Sequence, residues 1–138
     1  MGSGIKVADV MKKNVVTLHA NATVQEAARI MKDKGIGSII VIEGNEAKGI
    51  LTERDIVRKV VAEMKPLTTK VKDVMSHPLI VVEPETALED AAKVMHDNNI
   101  RRLPVINKEG LLVGILTEND IMSLFPTIVD LIEEKARL

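Results

Sequence analysis

The chain repeats itself once along its length. The segment Gly-Ile-Leu-Thr-Glu-Arg-Asp at 49–55 returns as Gly-Ile-Leu-Thr-Glu-Asn-Asp at 114–120. Earlier segments return in the same order: Asp9-Val10-Met11 as Asp73-Val74-Met75, Ala27-Ala28 as Ala91-Ala92, and Val41-Ile42 as Val105-Ile106. Because the two halves are so similar, any fold proposed for one of them has to serve both.

The spacing of the copies defines how residues in the two halves correspond. The offset is 64 residues through Ile42 and 65 from Gly49 onward, so the second copy holds one additional residue. A lone unit of this size has a hydrophobic core that contributes only ~3–5 kcal/mol. We therefore expect the two halves to stabilise each other within the 138-residue chain.

The residue pattern predicts the element order β-α-β-β-α in each half, behind a short leading helix. The first half predicts a leading helix at 7–11, a strand at 15–18, a helix from a capping box at Thr23 to Gly35, strands at 38–42 and 49–51, and a helix from 53 to about 64. The second half predicts a strand at 79–82, a capping box at 86–89, a helix to 98, strands at 103–106 and 112–116, and a helix from 118. The fold class is therefore α/β, with two repeats packed about an approximate two-fold axis.

The same pattern sets the expected boundaries. We expect repeat one at 5–64, a linker at 65–70, repeat two at 71–125 and a C-terminal amphipathic helix at 126–138. The helix after Thr52 has a broad apolar face, formed by Ile56, Val57, Val60, Val61 and Met64. Such a face must pack against something, and a seam between two copies of the chain is a common use for it.

Composition excludes several classes of function. The net charge is −1 and Phe125 is the only aromatic residue, so neither a basic face nor base-stacking rings support nucleic-acid binding. Zero cysteines exclude disulfides, thiolate catalysis and sulfur-ligated zinc. No apolar run approaches about 18 residues and no signal peptide precedes the first motif, so we expect a soluble cytoplasmic protein without membrane contact.

A threonine and an aspartate recur at the start of the last helix of each half, as Thr52 with Asp55 and as Thr117 with Asp120. One interpretation is purely structural, because Thr at the N-cap with a carboxylate three residues later stabilises a helix. The other is functional. Free N–H groups at a helix start attract phosphate, and a carboxylate can accept both hydrogen bonds of a ribose diol. The second interpretation predicts a nucleotide.

These motifs together resemble the CBS domain, the small module first described in cystathionine β-synthase, in a tandem pair over about 5–125. The signs are the Asp-Val-Met leader, the Ala-Ala-x-x-Met helix, the paired strands and the Gly-Ile-Leu-Thr-Glu-x-Asp close, each present twice. The resemblance implies a pseudo-symmetric pair with two clefts, frequent dimerisation, and binding of AMP, ADP, ATP or S-adenosylmethionine. It places the aspartate of each cleft on the ribose and the threonine near phosphate.

The resemblance also assigns residues to the two clefts. For the first cleft, around Thr52 and Asp55, it implies Glu53, Arg54, Ser76, His77, Pro78, Ile80, Ile100, Arg101 and Arg102. For the second cleft, around Thr117 and Asp120, it implies Asn14, Val16, Thr17, Ile36 and Gly37. Arg101 and Arg102 are suited to phosphate, although they are equally compatible with two solvated surface arginines. We expect the first cleft to take a charged nucleotide and the second to take a weakly charged adenosine ligand or none.

Three functions are compatible with this sequence. The first is a non-catalytic sensor in which an adenosine ligand changes the arrangement of the repeats or of a homodimer, and an effector protein reads that change. The second is an enzyme, which we disfavour because no serine has visible His and Asp partners and no cysteine is present. The third is a structural or nucleic-acid adaptor that docks a partner through the apolar helix face. We expect no metal and no cofactor beyond the regulatory nucleotide.

Overall fold

The computed structural model describes residues 4–124, so the predicted C-terminal helix at 126–138 lies outside the described part of the chain. Repeat one consists of α1 (Val7–Val10), β1 (Thr17–His19), α2 (Val24–Lys34), β2 (Ser38–Glu43), β3 (Glu46–Thr52) and α3, which starts as an α-helix at Glu53–Asp55 and continues as a π-helix over Ile56–Val61. Repeat two consists of a 3₁₀ turn (Val71–Asp73), α4 (Leu88–Asn98), β4 (Arg102–Ile106), β5 (Leu112–Thr117) and α5 (Glu118–Met122). The α/β fold class is confirmed, and the predicted order β-α-β-β-α holds in repeat one, whereas repeat two lacks the first strand of that order.

Each repeat is built around an antiparallel hairpin. In repeat one, β2 pairs with β3, and β1 adds to β2 in parallel. In repeat two, β4 pairs with β5. Ile42 pairs with Ala47 in the first hairpin, whereas Ile106 pairs with Leu112 in the second. The second hairpin therefore has the longer loop, and this loop holds the additional residue of the second copy.

The leading segment of each repeat packs into the other repeat. Lys6 forms a bridge with Ala87, and Lys12 forms a bridge with Ile115. The equivalent bridges join Lys70 to Thr23 and Ser76 to Ile50, so both exchanges obey the repeat offset. The two buried cores follow the same crossing. Val71 and Val74 belong to the core of repeat one, while Val7 belongs to the core of repeat two.

The glycine that opens each Gly-Ile-Leu-Thr motif makes room for this exchange. A Cβ at Gly49 would lie 2.5 Å from Met75 Sδ and 2.9 Å from the Ser76 carbonyl oxygen. A Cβ at Gly114 would lie 2.5 Å from Met11 Sδ and 3.0 Å from the Lys12 carbonyl oxygen. The methionine of each Asp-Val-Met leader therefore packs against the glycine of the other repeat, and this contact occurs twice in the chain.

The predicted strand at 79–82 is wrong, because only Val82 bridges to Val105 there. In repeat one, the Ile40 N–H donates to the Val16 carbonyl at 3.0 Å and extends the pairing of β1 with β2. The repeat offset puts Pro104 in the place of Ile40 and Ile80 in the place of Val16. Since proline has no N–H, this hydrogen bond cannot form and the segment does not continue as a strand.

The predicted cap of the long helix is present in repeat one, where the threonine half of the capping box forms. The Thr23 hydroxyl accepts from the Glu26 N–H at 3.2 Å, and Gly35 ends α2 with a φ of 64°. The predicted capping box at Thr86 is wrong, because Ala87 is the N-cap of α4 and the Thr86 hydroxyl accepts from the Glu83 N–H. With the offset of 64 residues, the counterpart of Thr23 in repeat two is Ala87 and not Thr86.

The apolar face of α3 is divided between the core and solvent. Val60 is buried and Ile56 packs against the core of repeat one. Val57, Val61 and Met64 remain 59%, 63% and 90% exposed, and α3 ends at Val61 instead of reaching Met64. No helix within residues 4–124 combines the length and the apolar character that crossing a membrane requires.

Candidate functional site

A cleft of about 700 Å³ lies between the two repeats, where the start of α3 faces the segment before β4. Its lining comes from four stretches of chain: Gly37 before β2, the end of β3 with α3, the leader of repeat two, and the start of β4. These include all the residues predicted for the first cleft, namely Thr52, Glu53, Arg54, Asp55, Ser76, His77, Pro78, Ile80, Ile100, Arg101 and Arg102. The leader exchange explains this proximity, because it carries Ser76 across to β3.

Asp55 is buried and serves two purposes in this cleft. Its Oδ2 accepts from the Thr52 N–H at 3.0 Å and faces the Thr52 hydroxyl at 3.1 Å, while its own N–H donates to that hydroxyl oxygen at 3.1 Å. Its Oδ1 accepts from the Ser76 hydroxyl at 3.2 Å and forms an ion pair with Lys59 Nζ at 3.1 Å. One carboxylate oxygen therefore caps the helix, as the structural interpretation predicts, and the other is held by Ser76 and Lys59, which also line the cleft.

The first cleft is rich in cations. Five basic side chains line it, Arg54, Arg58, Lys59, Arg101 and Arg102, against the two acidic ones of Glu53 and Asp55. Lys59 pairs with Asp55, and Arg101 pairs with Glu118 at 3.5 Å across an exposed surface. Within residues 4–124, no acidic side chain forms an ion pair with the three other arginines. These guanidinium groups can therefore receive an anion without breaking an existing pair.

Gly37 lies on the wall of this first cleft, although the sequence analysis assigned it to the second. Its carbonyl accepts from the Glu53 N–H at 3.0 Å, which joins the start of β2 to the start of α3. A Cβ here would meet Glu53 Oε1 at 2.8 Å and an Arg102 guanidinium nitrogen at 3.0 Å. A larger residue would therefore displace both charged side chains at the mouth of the cleft.

The lining also includes the His77 imidazole and, apart from it, an aliphatic wall. Ile50, Leu79, Ile80, Ile100 and Pro104 form an apolar wall next to the charged one. With no aromatic ring on this wall, a flat apolar group such as a purine would be held by aliphatic contacts and backbone hydrogen bonds.

Several lining residues were missed by the sequence analysis. Arg58 and Lys59 follow Asp55 by three and four residues, a spacing that places side chains on one side of a helix. This spacing was sufficient to predict from the sequence that both side chains lie on the same side of the helix as Asp55. Asn99 gave no comparable signal, because its position depends on how the repeats cross.

The residues predicted for the second cleft are arranged differently. The Asp120 Oδ2 accepts from the Thr117 N–H at 3.0 Å, and Lys12 Nζ lies 3.5 Å from its Oδ1. Val16 and Ile36 pack against the core of repeat one. The other predicted members, Asn14 and Thr17, are exposed. Neither of the two cavities described for residues 4–124 is lined by Thr117 or Asp120.

The other described cavity, of about 360 Å³, lies between α4 and α5. Its lining is largely apolar, with Met95, Ile121 and Met122, and with His96 and Glu118 among its polar members. No group of three or more His, Cys, Asp or Glu side chains in the described part of the chain is arranged to hold a metal ion. Of these two cavities, the cleft around Asp55 has more charged side chains in its lining.

Comparison with known proteins identifies the module that forms this cleft. The CBS domain family matches the chain twice, at residues 7–62 and 71–127. The chain belongs to the CBS domain family. A CBS domain-containing protein of Bacillus subtilis, YhcV, is 41% identical over 115 residues, which cover 83% of this chain and 81% of that protein. The protein MK0525 of Methanopyrus kandleri is 40% identical over 135 residues, which cover 96% of this chain and 69% of that protein.

The solved structures agree with this assignment. The CBS domain pair of protein MJ0100, in complex with 5′-methylthioadenosine and S-adenosylmethionine, has a TM-score of 0.81 and 27% identity, and the match covers 89% of this chain and 97% of that one. The chain is thus a CBS pair, a regulatory module with two repeats.

Proposed function

We propose that this CBS pair is a non-catalytic sensor of adenine nucleotides, which bind in the first cleft. The observation that carries the proposal is the coincidence of a buried, cleft-facing carboxylate with three arginines that have no acidic partner among the described residues. In this arrangement Asp55 accepts the ribose diol, and Arg54, Arg58 and Arg102 receive phosphate oxygens. The purine lies on the aliphatic wall.

The charge of the cleft favours a phosphorylated ligand over a cationic one. Five basic side chains against two acidic ones leave a net positive site at neutral pH. A polyphosphate gains charge-assisted hydrogen bonds there, whereas the sulfonium of S-adenosylmethionine is repelled. We therefore propose the order ATP, ADP, AMP, adenosine for decreasing affinity. The positive cleft also favours ATP over S-adenosylmethionine, although protein MJ0100 was solved with the latter.

Ligand binding requires a rearrangement around Asp55. A carboxylate offers about four acceptor positions, and Thr52, Ser76 and Lys59 already contact this one. A ribose diol must displace the Ser76 hydroxyl or the Lys59 ammonium. Lys59 also donates to the Val74 carbonyl at 3.1 Å, in the leader of repeat two. Displacing Lys59 would therefore loosen a link between α3 and that leader, which gives the ligand a means of shifting the arrangement of the repeats.

The Thr52 hydroxyl contributes less to phosphate binding than the resemblance implies. It accepts from the Asp55 N–H and lies 3.1 Å from Asp55 Oδ2, so its proton has an acceptor within the cap. We propose that Thr52 fixes the orientation of Asp55 and that the arginines contact phosphate. A homodimer completes the proposal, with the exposed Val57 and Val61 of α3 at the seam and an effector protein reading the change in its arrangement.

Isothermal titration calorimetry with ATP, ADP, AMP, adenosine and S-adenosylmethionine tests this proposal. We expect ATP to bind at least about tenfold more tightly than adenosine, because charge-assisted hydrogen bonds contribute ~1.5–3 kcal/mol each before solvent screening. Raising the salt concentration should weaken ATP binding and leave adenosine binding nearly unchanged. The absence of a response to all five compounds at millimolar concentration would remove the proposal.

A further inference from the structure

The two clefts differ at the position that faces their carboxylates. In the first cleft this position is Ser76, whose hydroxyl donates to Asp55 Oδ1 at 3.2 Å. The offset of 64 makes Lys12 the equivalent residue in the second cleft, and its Nζ lies 3.5 Å from Asp120 Oδ1. A short hydroxyl therefore faces one carboxylate, and a long ammonium side chain faces the other.

The backbone holds both side chains in the same way. Lys12 and Ile115 exchange two hydrogen bonds, each of 2.9 Å. Ser76 and Ile50 exchange the equivalent two, of 2.8 and 3.0 Å. Because the backbone pairing is shared, the contrast between the clefts comes from the side chains, and the fold itself directs Lys12 toward Asp120.

Lys12 covers the side of the carboxylate that a ligand would need. The Asp120 side chain is 10% exposed and its Oδ2 is used by the Thr117 N–H, whereas the Lys12 side chain is 69% exposed. The lysine therefore lies on the solvent side of Asp120 Oδ1. A ribose diol would have to bond to the same oxygen from the same side.

The second cleft also has no counterpart of the five basic side chains of the first cleft, and its leader adds only Lys13, at the position of His77. Each basic residue of the first cleft has an uncharged equivalent: Arg54 corresponds to Asn119, Arg58 to Ser123, Lys59 to Leu124, Arg101 to Gly37, and Arg102 to Ser38. An exposed ion pair is weak by itself. A nucleotide entering here, however, must displace Lys12 without gaining the five positive charges that the first cleft provides.

We infer that Lys12 is an internal occupant of the second cleft, so that each chain binds one adenosine ligand, in the first cleft. This inference rests on the proposed function, because it assumes that the first cleft binds such ligands. The residue at this position, Ser76 in one cleft and Lys12 in the other, then determines which of the two carboxylates is available to a ribose.

Equilibrium dialysis of the full chain with ATP and with adenosine tests the inference by counting ligands per chain. Wild type should bind one of either compound. Lys12→Ser, which copies the first cleft, should bind a second adenosine, and adding Asp120→Asn should remove it. Ser76→Lys should weaken adenosine binding in the first cleft by about fivefold or more. Lys72→Ser is the matched control, since it removes an exposed lysine from the other leader and should leave the count at one.

The outcomes separate the inference from the proposed function. Two adenosines per wild-type chain, one of them lost on Asp120→Asn, would overturn the inference and leave nucleotide sensing intact. A count that stays at one in both Lys12→Ser and Lys12→Ala would also overturn it. If wild type bound neither ATP nor adenosine, the proposed function itself would be refuted. Thermal melting of each variant verifies that it is folded, which is expected because the Lys12 side chain is exposed.

Discussion

Replacing Gly49 with alanine tests the contact that joins the repeats. The added Cβ would lie 2.5 Å from Met75 Sδ and 2.9 Å from the Ser76 carbonyl oxygen. The Met75 side chain can turn aside, but the carbonyl belongs to the backbone and must retreat by roughly 0.5 Å to reach an ordinary contact distance. That movement stretches the hydrogen bond from the Ile50 N–H to the Ser76 carbonyl, now 3.0 Å, to the limit of useful geometry.

The expected cost follows from these two effects. Overpacking contributes about 1–3 kcal/mol, and a weakened backbone hydrogen bond contributes about 0.5–1.5 kcal/mol. Gly49→Ala should therefore lower the free energy of unfolding by about 1.5–4.5 kcal/mol, and Tm by roughly 5–15 °C for a chain of this size. Chemical denaturation and calorimetric melting measure both quantities.

Gly110→Ala is the control, because nothing lies within 4 Å of its added Cβ and only its positive φ of 83° is strained. Gly49 does not have a positive φ, so backbone strain alone would predict a smaller loss of stability for Gly49→Ala than for Gly110→Ala. We expect the reverse order. A Gly49→Ala variant as stable as wild type, or more stable than Gly110→Ala, would refute the claim that this glycine makes room for the exchanged leader.

Three further predictions concern ligand binding and assembly. Asp55→Asn should weaken ATP binding by about 10- to 150-fold in calorimetry, since it removes a charged acceptor worth ~1.5–3 kcal/mol, whereas Asp120→Asn should leave ATP affinity unchanged. Arg102→Ala should weaken ATP binding by about tenfold and reduce its salt dependence, while Arg29→Ala on α2, outside the cleft, should do neither. If the proposed homodimer forms through α3, Val61→Glu should convert it to a monomer in light scattering because it places a charge on the exposed face of α3, and a monomeric wild type would contradict the proposed seam.

The repeat pattern was sufficient to predict the elements of repeat one and the hairpins of both repeats. The main errors lie in repeat two, and both arose where the copies differ. Pro104 replaces a backbone donor and removes a strand, and Ala87 replaces the threonine that caps α2. Comparing the two copies position by position would have found both, since the offset of 64 pairs these residues with Ile40 and Thr23.

The candidate site was predicted less completely than the fold. The resemblance brought Asp55, Ser76 and Arg102 to one cleft, and the structure places them together. It did not indicate that Gly37 lies on the same wall, or that Lys12 faces Asp120. Both facts depend on where the leaders cross, and this crossing joins residues far apart in sequence. Local patterns carry no information on such contacts.

The exchange of leaders has a consequence for how this architecture assembles. A protein holding only one copy would have to trade its first dozen or so residues with a second molecule, and its stability would then rise with its concentration. Here the segment 65–70 links the two repeats covalently, so the leaders are exchanged within one molecule. The stability of the fold therefore does not depend on the protein concentration. Cleaving that link should leave two fragments that remain bound to each other, each supplying the part that the other lacks.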